Sequence, residues 1–456
     1  LRAVTVRSVT ATAAEDIVPL ASALHEEAVR ARRPVHLNVP VNLAAAPASA
    51  GRCGPVDDRR APPAAAPAPA PETDGAALDA GIRALLAVER PLILAGHGIK
   101  ASGLGAALAR ALDAAGIPAL VTSHGKGILP DDHPLHAGVF GFAAPPSSTA
   151  FLKAYAPDAI AFLGTDLGET STAGWSPLLA RPRLAIHVDR DPRRFGKSYR
   201  ADLAIRAELG DFLERLADAA RADGAAATRQ ARRRAAVAAH RPPARPPAPP
   251  PIPDGLVAPP ALMATFAEVL PRDALVFADI GNTMAWVIHE LPIRGRQELY
   301  IPMALGAMGS ALCGAIGAQA ARPERPVVAL VGDCAMTMHG AEMLTALLAR
   351  LPVKVFVLND QGHGMVDHGL ALLGMSAGGL RHPRRVDFTT FARALGVRAL
   401  AAGSLRELGA VDWADVLAAR EPLIVDVAID PAVVPPILAR TRVLGVGDPG
   451  AAGGAA

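Results

Sequence analysis

The polarity pattern changes period several times along the chain. Short apolar, β-branched runs stand at Leu275–Asp279, Val327–Val331, Val353–Leu358 and Leu423–Val427, several closing on polar residues, with helical stretches between them. Continuous apolar runs of this length predict strands buried on both faces of a parallel sheet. The same alternation fills residues 75–225, with strands expected at Pro91–Ala95, Ala119–Thr122, Ala159–Leu163 and Leu184–Val188. Residues 1–43 carry one helical stripe (Ile17, Leu20, Leu24, Ala28) and then a strand within Val35–Pro40, a single αβ unit too small to fold alone. The expected class is α/β, with two Rossmann-like, doubly wound parallel-sheet domains at 75–225 and 255–440 beside that unit. Pro- and Ala-rich composition makes 44–74 a linker and, together with the basic run Arg229–Arg234, makes 226–254 a second one. The basic run reads as a solvated helix face, and 441–456 as an irregular Gly/Ala tail.

The polar ends of the runs carry candidate chemistry. One run closes on Gly332-Asp333-Cys334-Ala335, and after Cys334 come 24 residues and then Asn359-Asp360 at the end of the next run. Two parallel strands would deliver oxygen ligands side by side from their carboxyl ends, where open α/β sheets bind ligands. Hard oxygen donors suit Mg²⁺ or Ca²⁺, and Mg²⁺ is held by few protein ligands plus phosphate oxygens. A helix opening after Asp333 adds free N–H groups for an anion. The pattern describes a metal–diphosphate site. A third run ends in Asp279-Ile280-Gly281-Asn282-Thr283, where Gly281 permits close backbone approach and Asn282 and Thr283 can donate hydrogen bonds.

These segments resemble the signature of thiamine-diphosphate enzymes (Gly-Asp-Gly, roughly 25 residues, Asn-Asn), in their acetolactate-synthase-like branch. Gly125-Lys126-Gly127-Ile128-Leu129-Pro130-Asp131-Asp132-His133-Pro134 and Ile186-His187-Val188-Asp189-Arg190-Asp191-Pro192 resemble the family's central domain. Arg33-Pro34-Val35-His36-Leu37-Asn38-Val39-Pro40 resembles the closing strand of its pyrimidine-binding domain, so residues 1–43 are expected to be the remnant of that third domain. The resemblance implies thiamine diphosphate and Mg²⁺ as cofactors, with Asp333 and Asp360 as side-chain metal ligands and the Gly362 carbonyl completing the protein set. Gly281, Asn282, Thr283, Gly332, Asp333, Cys334, Ala335, Asn359 and Gly362 would surround the cofactor, Asn359 chiefly by bracing the loop. Gly306-Ala307-Met308-Gly309 resembles the family's Gly-x-Met-Gly, which assigns catalytic roles to Met308, as a wedge bending the cofactor, and to Gly306, whose carbonyl would bond its aminopyrimidine. The family residues Gly and Asn are replaced here by Cys334 and Asp360. Gly369 stands where acetolactate synthases carry a Trp, which implies a more open pocket. His363 and His368 are candidate acid/base groups with structural roles as the alternative. FAD binding is disfavoured, because Gly96-His97-Gly98 is a weak glycine signal and Asp166-Leu167-Gly168-Glu169 replaces a basic residue of flavin-binding relatives.

Composition narrows the partners. A formal net charge of +3 makes no electrostatic case for nucleic acid or an anionic membrane. Cys53, Cys313 and Cys334 form no paired framework, which suits a reducing cytoplasm. The uncharged stretch Ile301–Ala321 is rich in Gly and Ala and reads as a loop and helix beside a ligand rather than a span. The substrate expected is a 2-oxo acid, decarboxylated and ligated to a second carbonyl, by a homodimer or homotetramer when complete. Simple decarboxylation and cleavage of a 2-hydroxy ketone are the alternatives. In the family an activating Glu sits on the pyrimidine-binding domain, and no Glu here stands in that context. The chain is therefore expected to be a fragment, with a split enzyme and a non-catalytic cofactor-binding component as further readings.

Overall fold

The computed structural model describes residues 5–40, 43, 74–222, 226–240, 255–376 and 378–437. The predicted linker at 44–73, most of the second at 241–254, the tail at 441–456 and Cys53 lie outside the described residues. The chain divides into two compact units, Leu1–Thr73 and Asp74–Ala456.

In the first unit, strands β1 (Ser8–Thr10) and β2 (His36–Asn38) pair in parallel around the helix Ile17–Ala31. Pro19 sits in the first turn, where its missing N–H costs no helix bond. Leu24 is the residue of that helix that is buried. β1 was not anticipated, because Ser8-Val9-Thr10 is too short to show a period.

The second unit contains two six-stranded sheets. Strands β3 (Pro91–Ala95), β4 (Ala119–Thr122), β5 (His136–Phe140), β6 (Ala159–Leu163), β7 (Leu184–Asp189) and β8 (Leu203–Arg206) form one, in the order β5-β4-β3-β6-β7-β8. Strands β9 (Leu275–Ala278), β10 (Glu298–Tyr300), β11 (Val327–Gly332), β12 (Lys354–Asn359), β13 (Arg398–Ala402) and β14 (Leu423–Ala428) form the other, in the order β10-β9-β11-β12-β14-β13. All pairings are parallel, as two Rossmann-like domains require. The eight interior strands are those legible as apolar runs, each within a residue of its expected bounds. The four edge strands β5, β8, β10 and β13 were not anticipated. They are half solvated and their residues mixed, as in Leu203-Ala204-Ile205-Arg206, where Ile205 alone is buried.

The basic run differs from expectation. It lies on a helix, Ala226–Ala239, and Arg232 is exposed, but Arg233 and Val237 are buried. The Arg233 guanidinium donates to the carbonyls of Val88, Glu89 and Ala115, at the carboxyl ends of helices Gly75–Ala87 and Gly105–Ala115. Those carbonyls have no intrahelical partners, so a planar cation at two helix ends satisfies them. Residues 226–239 therefore belong to the central domain rather than to a linker.

The Gly125–Asp131 segment joins the two sheets' domains. Lys126 is buried and its ammonium donates to the carbonyls of Val287 (2.9 Å) and Ile288 (2.7 Å), near the carboxyl end of helix Asn282–Glu290. Asp131 accepts from the Ile293 N–H (2.6 Å) and donates its own N–H to the Ile293 carbonyl (2.8 Å). A Cβ on Gly127 would come 3.2 Å from the Leu299 side chain, so the approach there is tight. Burial pushes the Lys126 pKa down, against the attraction of Asp131 and Glu290.

Candidate functional site

In the second sheet the chain leaves β9 for β10 on one side and returns to β11 on the other, so β9/β11 is the point where strand order reverses. A crevice opens beyond the carboxyl ends at such a point. Gly332 pairs with Leu358 and Leu330 with Ala278, so the polar ends of β9, β11 and β12 emerge side by side. Each leads, directly or through a short turn, into a helix: Asn282–Glu290, Asp333–His339 and Gly364–Leu372. Gly281 makes the first of these turns at φ 116°, which favours glycine.

Gly281, Asn282, Thr283, Met308, Gly332, Asp333, Cys334, Ala335, Asp360 and Gly362 all line one cleft, together with Trp286, His363, Met365 and Val366. Gly306 and Asn359 lie outside this lining. Gly306 sits in an exposed turn closed by its N–H on the Pro302 carbonyl. Asn359 is fully buried, and its amide nitrogen donates to the Val386 carbonyl (2.9 Å) and to Asp426 on neighbouring β14 (3.0 Å), so it braces the loop.

Several residues hold the lining in place. Asp279 is fully buried and accepts from the Ile280 N–H and the Gly309 N–H, both at 2.7 Å. It ties the end of β9 to the segment carrying Met308. A Cβ on Gly309 would fall 2.0 Å from His339 Nδ1, so this crossing admits glycine alone. His368 is buried, with Nε2 2.8 Å from the Pro431 carbonyl and Nδ1 3.2 Å from the Asn282 amide nitrogen. A carbonyl can only accept, so Nε2 carries the proton and Nδ1 accepts from Asn282. His368 thereby positions the Asn282 amide. Arg381 donates to the Asp360 carbonyl (2.7 Å) and pairs with Asp367 (2.9 Å). It lies in an irregular stretch without a period, so no pattern in the sequence marks it.

The electrostatics call for a cation. Asp333 is buried, with Oδ1 accepting from the Cys334 N–H (2.7 Å) and Oδ2 from the Gly362 N–H (2.8 Å). Desolvation raises its pKa. Asp360, also buried, is pushed up to about 7, first by desolvation and then by Asp333, with Arg381 opposing. A Cβ on Gly364 would meet Asp360 Oδ2 at 2.0 Å and the Asn282 amide nitrogen at 2.6 Å, so carboxylate and amide converge over this glycine. Asn282 Oδ1 is buried without a protein partner. Two crowded carboxylates are hard-oxygen donors of the kind that suits Mg²⁺. They would repel a diphosphate unless a divalent cation lay between them.

The fold and this cleft define a class, the doubly wound α/β proteins whose ligand crevice lies beyond strand carboxyl ends. Residues 78–216 match the family described as "Thiamine pyrophosphate enzyme, central domain", and residues 279–427 match "Thiamine pyrophosphate enzyme, C-terminal TPP binding domain". The chain belongs to the thiamine pyrophosphate enzyme family, in its acetolactate-synthase-like branch. A Pseudomonas aeruginosa protein described as a probable 2-ketoarginine decarboxylase is 30% identical over 80% of this chain and 61% of its own length. A probable acetolactate synthase large subunit of Methanocaldococcus jannaschii is 27% identical over 89% of this chain and 68% of its own. The acetolactate synthase large subunit of Parasynechococcus marenigrum is 27% identical over 79% and 57% respectively. The chain spans about three fifths of the length of most of these curated relatives. Among the described residues no helix is long and apolar enough to cross a membrane, and the uncharged stretch after Ile301 resolves into a loop and the helix Ser310–Ala321.

Proposed function

We propose that the cleft binds thiamine diphosphate with Mg²⁺ and serves decarboxylation and carboligation of 2-oxo acids. The observation that carries this reading is the pair of buried, mutually repelling carboxylates of Asp333 and Asp360 in the lining of one cleft. Asp333, Asp360 and the Gly362 carbonyl would hold the cation. That carbonyl also accepts from the Gly364 N–H (3.0 Å) and keeps a second lone pair for a metal. Thiamine diphosphate, when bound, supplies the nucleophilic carbon and the electron sink for cleaving the bond beside a 2-oxo group. The protein's part is placement. Met308, held through Asp279, wedges the ring portion, and Asn282, held through His368, offers its oxygen to the cation side. Trp286, Met365 and Val366 keep the cleft wall apolar.

A second reading is decarboxylation of a bulkier 2-oxo acid without ligation. It is favoured by Gly369, which puts no side chain on the helix that borders the cleft. Both readings share one test. Asp333→Ala should abolish Mg²⁺-dependent binding of thiamine diphosphate in calorimetry of the full chain, and unchanged affinity would sink the assignment. If binding is present, turnover of pyruvate against longer 2-oxo acids, with and without an added pyrimidine-binding domain, separates the two.

A further inference from the structure

Cys334 and His382 have no role in that reading, yet they meet at its edge. Cys334 is buried at the start of helix Asp333–His339. Its Sγ lies 3.6 Å from His382 Nε2. Asp333, Cys334 and His382 bring one ligand atom each to within 4.8 Å of one another.

His382 reaches this point from a segment remote in sequence, and the backbone fixes it there. The His382 N–H donates to the Gln361 carbonyl (2.9 Å), the Gln361 amide returns a bond to the His382 carbonyl (2.8 Å), and the His363 N–H donates to the Leu380 carbonyl (2.9 Å). Gly362 and Arg381 pair as an antiparallel bridge between these bonds. A Cβ on Gly362 would fall 2.3 Å from the Leu380 carbonyl oxygen, so glycine is what lets the two strips close. The segment that carries the imidazole is therefore held against the Asp360–Gly362 loop by two main-chain bonds and one from the Gln361 side chain.

The donors differ in kind from the oxygen set. Thiolate and imidazole favour borderline d-block ions over Mg²⁺. With Zn–S near 2.3 Å and Zn–N near 2.0–2.1 Å, a tetrahedral angle sets the two ligand atoms about 3.6 Å apart. The observed separation is the same. Each oxygen of Asp333 accepts one backbone N–H and keeps a lone pair for a metal. Asp333 and Cys334 line the cleft, so a fourth position is open to water or a phosphate oxygen.

We propose that Asp333, Cys334 and His382 form a three-ligand site for a borderline divalent d-block cation, Zn²⁺ or Co²⁺, that shares Asp333 with the oxygen site. On binding, the Cys334 S–H bond breaks, the metal–sulfur bond forms and one proton passes to solvent. The site stands on its own geometry. Its consequence, that Zn²⁺ and Mg²⁺ compete for Asp333, rests on the reading of the preceding subsection.

The test titrates the metal-free full chain with Co²⁺ in the absence of thiamine diphosphate, so that its failure is independent of cofactor binding. A near-ultraviolet thiolate-to-cobalt band should grow to one equivalent and be bleached by Zn²⁺. Cys334→Ser should remove the band. His382→Ala should weaken binding by more than the roughly 10- to 100-fold typical of losing an outer-shell partner. A band that persists in Cys334→Ser would assign the sulfur to Cys53 or Cys313 and overturn the proposal, as would no band at saturating Co²⁺. X-ray absorption of the Zn²⁺-loaded natural chain needs no variant. One sulfur in the first shell supports the site, and a shell of oxygen and nitrogen alone refutes it. Competition is read separately, as Zn²⁺ inhibition of Mg²⁺-dependent thiamine diphosphate binding that is relieved in Cys334→Ser.

Discussion

Replacing Asp360 by Asn removes one of two crowded, buried carboxylates while keeping shape and hydrogen-bonding capacity. Without a cation the folded state holds the Asp360 pKa at about 7, against an ordinary value of 3.8. A raised carboxylate pKa means the folded chain binds the proton more tightly than the unfolded chain. Asp360 therefore contributes no penalty below about pH 4, costs stability as pH rises from there to about 7, and its contribution levels off above. About three pKa units at 1.36 kcal/mol each sets the loss at roughly 4 kcal/mol. Asp360→Asn should escape it. In urea denaturation with chelator present, the variant and the natural chain should be nearly equal at about pH 4, and the variant should become more stable as pH rises, by up to about 4 kcal/mol near pH 8. Millimolar Mg²⁺ should shrink that difference, because the cation takes over the neutralising role. At low Mg²⁺ the variant should bind thiamine diphosphate at least as tightly as the natural chain. A difference independent of pH, or a variant less stable than the natural chain at pH 8, would refute the account of two carboxylates in conflict.

Lys126→Met should cost about 2–4 kcal/mol, because two helix-end carbonyls lose charge-assisted bonds worth roughly 1.5–3 kcal/mol each, partly offset by no longer burying an ammonium. Hydrogen exchange over 282–290 should accelerate, and unchanged protection there would count against the capping role. Asp279→Asn points an amide N–H at one of two backbone N–H donors and should cost about 1–3 kcal/mol. Limited proteolysis should then cut near 303–309 faster, and an unaltered cleavage rate would show that Asp279 does not hold the Met308 segment.

What the sequence disclosed follows from what burial does to composition. The interior strands β3, β4, β6, β7, β9, β11, β12 and β14 face packed layers on both sides and read as unbroken apolar runs. Their polar ends followed, because a strand that stops in Gly-Asp or Asn-Asp announces its own carboxyl terminus. The edge strands were hidden because half of each is wet. The motif around Gly306 marks a segment, and the turn after Pro302 decides where in that segment the glycine stands. Asn359 braces the loop as its position in the sequence implied, but its partner Asp426 on β14 is 67 residues away and not legible there. Arg233 was read from the charge of its neighbours. Its burial depends on two helix ends more than a hundred residues upstream.

The helix Asn282–Glu290 has the cleft at one end and Lys126 at the other. At 1.5 Å per residue its nine residues span roughly 14 Å, so a loop of the central domain sets the axial position of Asn282 without touching the cleft. For domain exchange between relatives, the graft boundary is therefore not the one drawn between the sheets. A transplanted central domain must bring a Gly125–Asp131 loop matched to residues 287–299 of its new host. Otherwise a chimera with every cleft residue intact would still present Asn282 out of place.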